Sequence, residues 1–231
     1  MKYTNIKKAT FLSRPNRFIA ECILDGENVV AHVKNTGRCR ELLLPGATVY
    51  LDEPIGRERK TKYDLVAVEK LLLNGEILLI NMDSGAPNEA ASEFLKALTI
   101  FPDATKIRRE VTKGNSRFDF CIERGEKITF LEVKGVTLEN NGIASFPDAP
   151  TERGVKHIEE LISLKEQGYE TAILFVIQMK RITEFRPNDI THKAFGDALR
   201  RAYKAGVKIF AYDCIITPDT MTIDSPVKVV L

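Results

Sequence analysis

The sequence predicts an α/β chain in two parts: a small OB-like β-barrel over residues 1–82, then helices flanking a mixed sheet over residues 83–231. Three observations carry this. Up to Met82 the chain alternates short β-rich runs with turn residues. Asp83-Ser-Gly-Ala-Pro87 then breaks the pattern. Beyond it helical and strand periodicities alternate, and Thr171 to Gln178 forms the near-continuous apolar run of a strand buried on both faces.

In the first part, strands are expected at Phe18 to Leu24, Val29 to Val33, Thr48 to Leu51, Leu65 to Val68 and Ile77 to Ile80. They are punctuated by Asp25-Gly26, Pro45-Gly46, Glu53-Pro54 and Asn74-Gly75. Five short strands suit an OB-like barrel with Arg38 to Leu44 as a short helical insert, and an SH3-like barrel fits the pattern nearly as well. In the second part Asn88 to Leu98 has helical spacing, with Asn88 as a cap and Ala91, Phe94, Leu95 and Leu98 on one face. Strands follow at Lys106 to Val111, Arg117 to Glu123 and Ile128 to Thr137. Thr151 to Gln167 is a helix striped by Ile158, Leu161, Ile162 and Leu164 and ended by Gly168. After the buried strand come a helix from His192 to Ala205 and a strand from Val207 to Ile216. The order αβββαβαβ implies a mixed sheet between helices.

Composition narrows the function classes. With 231 residues, 44% hydrophobic and 29% charged, the chain is an ordinary globular protein. A formal net charge of +2 announces no nucleic-acid partner by itself, so local clusters must carry that reading. Cys22, Cys39, Cys121 and Cys214 lie far apart without a C-x-x-C pair, which excludes a zinc ribbon and points to reduced thiols. Neither an apolar signal core nor a run of membrane-spanning length is present. A cytoplasmic protein with no membrane association is expected.

The chemistry concentrates in Arg117-Phe-Asp-Phe-Cys-Ile-Glu-Arg-Gly-Glu-Lys-Ile-Thr-Phe-Leu-Glu-Val-Lys134. Runs rich in aromatic and β-branched residues flank Arg-Gly-Glu, a hairpin signature. With Gly125-Glu126 as the turn residues, antiparallel pairing sets Arg124 opposite Lys127 and Asp119 opposite Glu132. Strand periodicity then adds Lys134 to the same face. One residue more or fewer in the turn would move Asp119 to the other face. Two carboxylates and an ammonium converging on a sheet are costly to bury unless a cation and a substrate use them. A divalent metal held by the carboxylates lowers the pKa of bound water, and Lys134 orients that water or shares its proton. This is phosphodiester hydrolysis chemistry, and hard oxygen ligands without His or Cys favour Mg2+ (or Mn2+) over zinc. The alternative is a solvated edge hairpin with a cross-strand salt bridge.

This order, with the hairpin at its second and third strands, resembles the PD-(D/E)xK superfamily of restriction-endonuclease-like nucleases. The resemblance implies a restriction-endonuclease-like αβββαβ domain in which Asp119, Glu132 and Lys134 are catalytic. It also implies a further metal-binding acid on the preceding helix, for which Glu93 is the first candidate and Glu110 the runner-up. Phe118-Asp119 stands where the motif has Pro-Asp. A resemblance covering almost the whole chain is to the sugar fermentation stimulation protein A family. It is carried by Asn35-Thr-Gly-Arg38, Glu110, Gly114-Asn-Ser-Arg-Phe-Asp-Phe120, Leu131-Glu-Val-Lys-Gly-Val-Thr-Leu138 and Phe146-Pro-Asp-Ala-Pro-Thr-Glu-Arg-Gly-Val-Lys-His157. That family implies an OB-like domain, a nuclease-like domain, and DNA binding linked by name to sugar-utilisation genes.

Among basic residues, Lys106, Arg108, Arg109, Lys113 and Arg117 lie on the strand entering the hairpin, and Arg117 is taken as a phosphate contact. The helix beginning at Thr151 offers free N–H groups to a phosphate, with Arg153, Lys156 and His157 as nucleic-acid-binding side chains. Asn35-Thr-Gly-Arg38 followed by Arg40 reads as a tight turn offering donors, chiefly Arg38, to a nucleic-acid backbone. Arg57, Arg59, Lys60 and Lys62 form a second basic stretch. With no Trp, Tyr50 and Tyr63 alone make a poor stacking platform. DNA is the expected partner, and cutting two strands would favour a homodimer.

Overall fold

The structure is a computed structural model that describes residues 1–35, 37–54 and 61–231. Thr36 of the tight turn and Arg57, Arg59 and Lys60 of the second basic stretch lie outside the described residues. The first part comprises β1 (Ile6–Asn16), β2 (Ile19–Leu24), β3 (Glu27–Val33), β4 (Thr48–Asp52), β5 (Tyr63–Leu71) and β6 (Ile77–Asn81). Strands β1 to β4 pair antiparallel along the order β3-β2-β1-β4-β5-β6, and a short parallel pairing of β3 with β5 closes the sheet into a barrel. Alternate residues turn inward, as the pattern of β2 shows, and Phe11, Val49, Leu51, Leu65 and Val68 fill the interior. Strand β1 carries consecutive lysines at Lys7 and Lys8, the half-buried Lys7 on the side of Ala9 and Phe11, together with Pro15 and two register irregularities, so its alternation is blurred. The expected helical insert at Arg38 to Leu44 is a single turn, in which Leu42 and Leu43 donate to the Cys39 carbonyl.

The second part comprises α1 (Ala86–Lys96), β7 (Lys106–Lys113), β8 (Ser116–Arg124), β9 (Lys127–Val136), β10 (Leu138–Asn140), β11 (Ile143–Phe146), α2 (Glu152–Glu166), β12 (Glu170–Ile177), β13 (Glu184–Pro187), α3 (Asp189–Lys204), β14 (Lys208–Ile216), β15 (Met221–Pro226) and β16 (Lys228–Val229). Its main sheet is mixed, in the order β15-β14-β12-β9-β8-β7, with β12 parallel to both β9 and β14. The apolar run of β12 sits at the sheet's centre, buried on both faces. Helix α1 covers one face through Ala90, Ala91, Phe94 and Leu95. Helices α2 and α3 cover the other through Ile158, Leu161, Phe195 and Leu199. A second small sheet, β10-β11-β13-β16, was not legible in strands of two to four residues.

Polar side chains join the two parts. Gln178 Nε2 donates to the Asn81 carbonyl and amide oxygens at 3.0 Å and to the Asp83 carbonyl at 3.1 Å. Asp83 in turn accepts from Lys34 at 2.5 Å and from the Tyr3 hydroxyl at 3.3 Å, and burial next to Asp83 pushes that phenol far up. Lys70 on β5 bridges to the buried Glu139 on β10. Among the described residues no helix is long and apolar enough to cross a membrane.

Candidate functional site

The hairpin of β8 and β9 has the expected register, with Arg124 opposite Lys127 and Phe120 opposite Leu131. The ladder ends there, one pair short of Asp119 and Glu132. Beyond that point β9 stays paired with β12 as far as Val136, so β8 peels away and a wedge opens between them. Asp119 Oδ2 takes up the Val133 N–H at 2.7 Å, and Asn88 Nδ2 donates to Oδ1 at 2.7 Å. Thus Asp119 faces Glu132 across the wedge and is locked there by two donors.

Glu132 is 4% exposed. Its Oε1 receives both Lys134 Nζ and His157 Nδ1, each at 2.5 Å, while the equally buried Oε2 has no hydrogen-bond partner. The two acids titrate in opposite directions. Burial pushes the Asp119 carboxyl up, reinforced by the Glu132 charge and only partly offset by the Val133 N–H, Lys134 and Asn88. Burial opposes ionisation of Glu132 too, but His157 and the Lys134 ammonium prevail and hold it below the usual carboxylate range. Glu132 therefore carries charge, and among the described residues one of its oxygens has no donor.

Local sequence explains how these side chains arrive. In α2, Thr151 caps the helix by accepting the Gly154 N–H at 3.0 Å, and Gly154, His157, Ile158 and Leu161 recur at i, i+3, i+4 and i+7 on the buried face. His157 belongs to that stripe, so it points at the sheet. The α1 N-terminus sits against Gly135 at the end of β9, where an added Cβ would lie 2.6 Å from Pro87 Cγ and 2.5 Å from Gln178 Oε1. This close approach brings Asn88 over the wedge.

Several expected residues stand elsewhere. Glu93 does not reach the site: its carboxylate binds the Met1 ammonium at 2.6 Å. Five residues along α1 from Asn88 means about 7.5 Å of rise and a turn to another face. Asn88 is not the helix cap, a position Gly85 takes, but a partner of Asp119. Glu110 sits across from Asp119 on β7 with φ of 53° and turns to Arg117 at 3.2 Å. A non-glycine residue in that conformation is a local strain beside the acid. His157 is 7% exposed and bound to Glu132, so it is no surface phosphate contact. Arg153 and Lys156 lie on the exposed side of α2, and Lys156 faces Glu160. Arg117 is exposed near Asp119 and paired with Glu110, and Arg108 and Arg109 are paired with Glu123 and Glu89. Arg38 is exposed on the barrel. His157 and Asn88 escaped the sequence reading as partners of the acids, although a histidine on an apolar stripe was a usable signal that it needs a buried partner.

A divalent cation fits this donor set on one observation, the orphaned Glu132 Oε2 beside a second carboxylate. Among the described residues no group of three or more His, Cys, Asp or Glu side chains is placed to hold a metal. Magnesium, which is commonly held by one or two carboxylates with water and substrate oxygens, suits two acids better than zinc does.

Comparison with known proteins agrees with this architecture. Residues 12–79 match the model of the SfsA N-terminal OB domain, and residues 85–220 that of the sugar fermentation stimulation protein RE domain. A sugar fermentation stimulation protein homolog of Desulfitobacterium hafniense (strain Y51) is 56% identical over 221 residues, 96% of this chain and 94% of the relative. Its counterpart in Clostridium beijerinckii is 51% identical over the whole of both chains. The solved structure of Pyrococcus furiosus SfsA in complex with Ca2+ superposes with a TM-score of 0.88 at 27% identity, covering 100% of this chain and 98% of that one. With both parts matched in order and relatives similar along their full length, this chain belongs to the sugar fermentation stimulation protein family.

Proposed function

We propose that this protein binds DNA and hydrolyses its phosphodiester bonds at a magnesium- or manganese-dependent site formed by Asp119, Glu132 and Lys134. The observation that carries this reading is the buried Glu132 Oε2, which has no hydrogen-bond partner among the described residues, on a carboxylate whose charge is felt by Asp119, an arrangement whose desolvation cost calls for a cation. The relative solved with Ca2+ supports it, since calcium shares magnesium's preference for oxygen ligands. A divalent cation bound there supplies Lewis-acid activation of the phosphodiester and of a water molecule. Asp119 and Glu132 would hold it. Asn88 and the Val133 N–H fix the direction of the Asp119 carboxylate, and His157 does so for Glu132. Lys134, with its ammonium on Glu132 Oε1 and partly open to solvent, orients the attacking water and neutralises charge gathering on the phosphate. Arg117, exposed beside the wedge, would meet the flanking backbone.

A second reading is a non-catalytic DNA-binding regulator of sugar-utilisation genes, consistent with the relatives' name. It is favoured by the lack, among the described residues, of a third acid at the site. Incubation of the purified protein with circular, linear and single-stranded DNA, with and without Mg2+ or Mn2+, separates the two. Cleavage is expected only with metal, falling about a hundredfold or more in Lys134→Ala. Binding that persists with no metal-dependent cleavage of any substrate would retire the enzyme.

A further inference from the structure

The barrel carries a second basic feature, away from the acids. The turn from β1 to β2 and the segment after β3 enclose a cleft of about 550 Å³ lined by Arg14, Arg17, Arg38 and Arg40, and closed on one side by Ala149 of the loop before α2. The four arginines are not equivalent. Arg14 is a strut: its guanidinium donates to the carbonyls of Asn35, Gly37, Arg38 and Arg17 at 2.6 to 3.2 Å, tying the two walls together. Gly37 permits the fold of the wall, because a Cβ there would lie 2.0 Å from Asp148 Oδ2. The Asp148 carboxylate is turned onto backbone N–H groups, including that of Arg38, so it organises the loop and only weakly offsets the Arg38 charge.

Arg17, Arg38 and Arg40 are exposed, and among the described residues none of them forms an ion pair. Elsewhere among the described residues only Arg153 is likewise without an ion pair, since Arg108, Arg109, Arg117, Arg124, Arg181, Arg186, Arg200 and Arg201 are paired with carboxylates. At the mouth the Arg17 guanidinium lies 4.7 Å over the Phe18 ring, which is 44% exposed. A guanidinium stacked on an exposed ring is a flat cationic platform of the kind on which an unpaired base stacks.

We propose that this cleft binds a stretch of single-stranded DNA, with backbone phosphates on Arg38 and Arg40 and a base stacked on the Arg17–Phe18 platform. A duplex hides its base faces and cannot use the platform; a single strand uses both halves of the site. The inference rests on the proposed nucleic-acid function for its purpose, because a strand held by the barrel would be delivered towards the loop that leads into α2 and His157. Its test does not rest on catalysis.

Binding of a fluorescent oligo-dT strand and of a hairpin duplex of equal length is measured by anisotropy in EDTA, where no metal-dependent cleavage occurs. Tight single-strand binding is expected, with Arg38→Ala/Arg40→Ala weakening it about tenfold or more and lowering the salt slope by about one unit per arginine lost. Phe18→Ala, with both arginines kept, should weaken the single strand several-fold and leave the salt slope unchanged. Lys204→Ala, at the exposed end of α3, should change nothing. Duplex binding equal to single-strand binding, or arginine variants that bind like the wild type, would overturn the proposal. Cleavage with magnesium by a protein whose oligo-dT binding ignores these arginines would sink the cleft and leave the nuclease. Arginine-dependent binding without cleavage would do the reverse.

Discussion

The Glu132 carboxylate shows how one side chain can be half satisfied by design of its surroundings. Two donors, Lys134 and His157, share Oε1, and among the described residues no donor reaches the buried Oε2. An ordinary buried acid would spread its donors over both oxygens, since each unpaired buried acceptor costs about 1–3 kcal/mol. His157 is therefore a positioning residue that, with Lys134, fixes the rotation of the carboxylate and leaves its other oxygen without a donor. Removing such a partner commonly weakens metal binding by about 10- to 100-fold. His157→Ala should accordingly keep its fold and bind Mn2+ more weakly by that factor, as read by calorimetric titration. His157→Asn, which retains a donor on a shorter arm, should recover part of the loss. Equal Mn2+ affinity in wild type and His157→Ala would show that the histidine merely fills space.

At the scale of elements, the hairpin was legible and the helix contributions were not. A Gly-containing turn between two β-rich runs sets register by counting, so the pairing from Arg124 and Lys127 to Phe120 and Leu131, which leads to Asp119 and Glu132, is legible. Strand β1 is masked because a lysine at the inward parity, Lys7, together with Pro15 and two irregularities, hides a period of two that survives in the buried pair Ala9 and Phe11. Helix α1 is present but runs two residues earlier at each end than the periodicity of Asn88 to Leu98 predicts, and which of its polar residues reaches the sheet depends on where its first turn lands, set by the fit of Pro87 against Gly135. Hence Asn88 meets Asp119 and Glu93 meets the amino terminus. The loop between β11 and α2 offers a pH test of the same idea. Burial pushes the Asp148 carboxyl up, although N–H groups of its own residue, Arg38 and Ala149 pull it back. A native carboxyl with a raised pKa binds protons more tightly than the unfolded one. Its ionisation therefore costs stability as pH rises through the unfolded carboxylate pKa, about 3.9, towards the native value, and that cost is absent in acid. Asp148→Asn keeps an acceptor for the N–H groups and cannot ionise. Its stability relative to wild type, followed by urea unfolding, should improve from acid to neutral pH. A difference independent of pH would mean that Asp148 does not titrate under this constraint.

For the whole molecule, the question is whether barrel and sheet act as separate modules or as one body. One apolar cluster runs from Phe11, Leu51 and Leu65 in the barrel to Phe175, Leu161 and Phe195 beyond it, so neither part completes its core alone. Polar groups are buried in the same joint. Gln178, at the end of the central strand β12, spends both donors of its amide on Asn81 and Asp83, whose side chain is held by Lys34 and Tyr3. The first residues of the chain take part too: Met1 and Lys2 pair with Met221 and Thr220 before the chain enters the barrel. Such a joint holds the arginine cleft and the acidic wedge at one spacing, which a protein that passes a strand from one to the other requires. Gln178→Ala would leave buried acceptors at Asn81 and Asp83 without a donor, a loss of about 1–3 kcal/mol. In a chain of this size that corresponds to a fall in Tm of about 2–12 °C. Because the core is shared, calorimetry should show one transition in the wild type and one, displaced downwards, in the variant. Two transitions with the second alone displaced would mean that barrel and sheet unfold independently, and the fixed spacing between cleft and wedge would then have no structural basis.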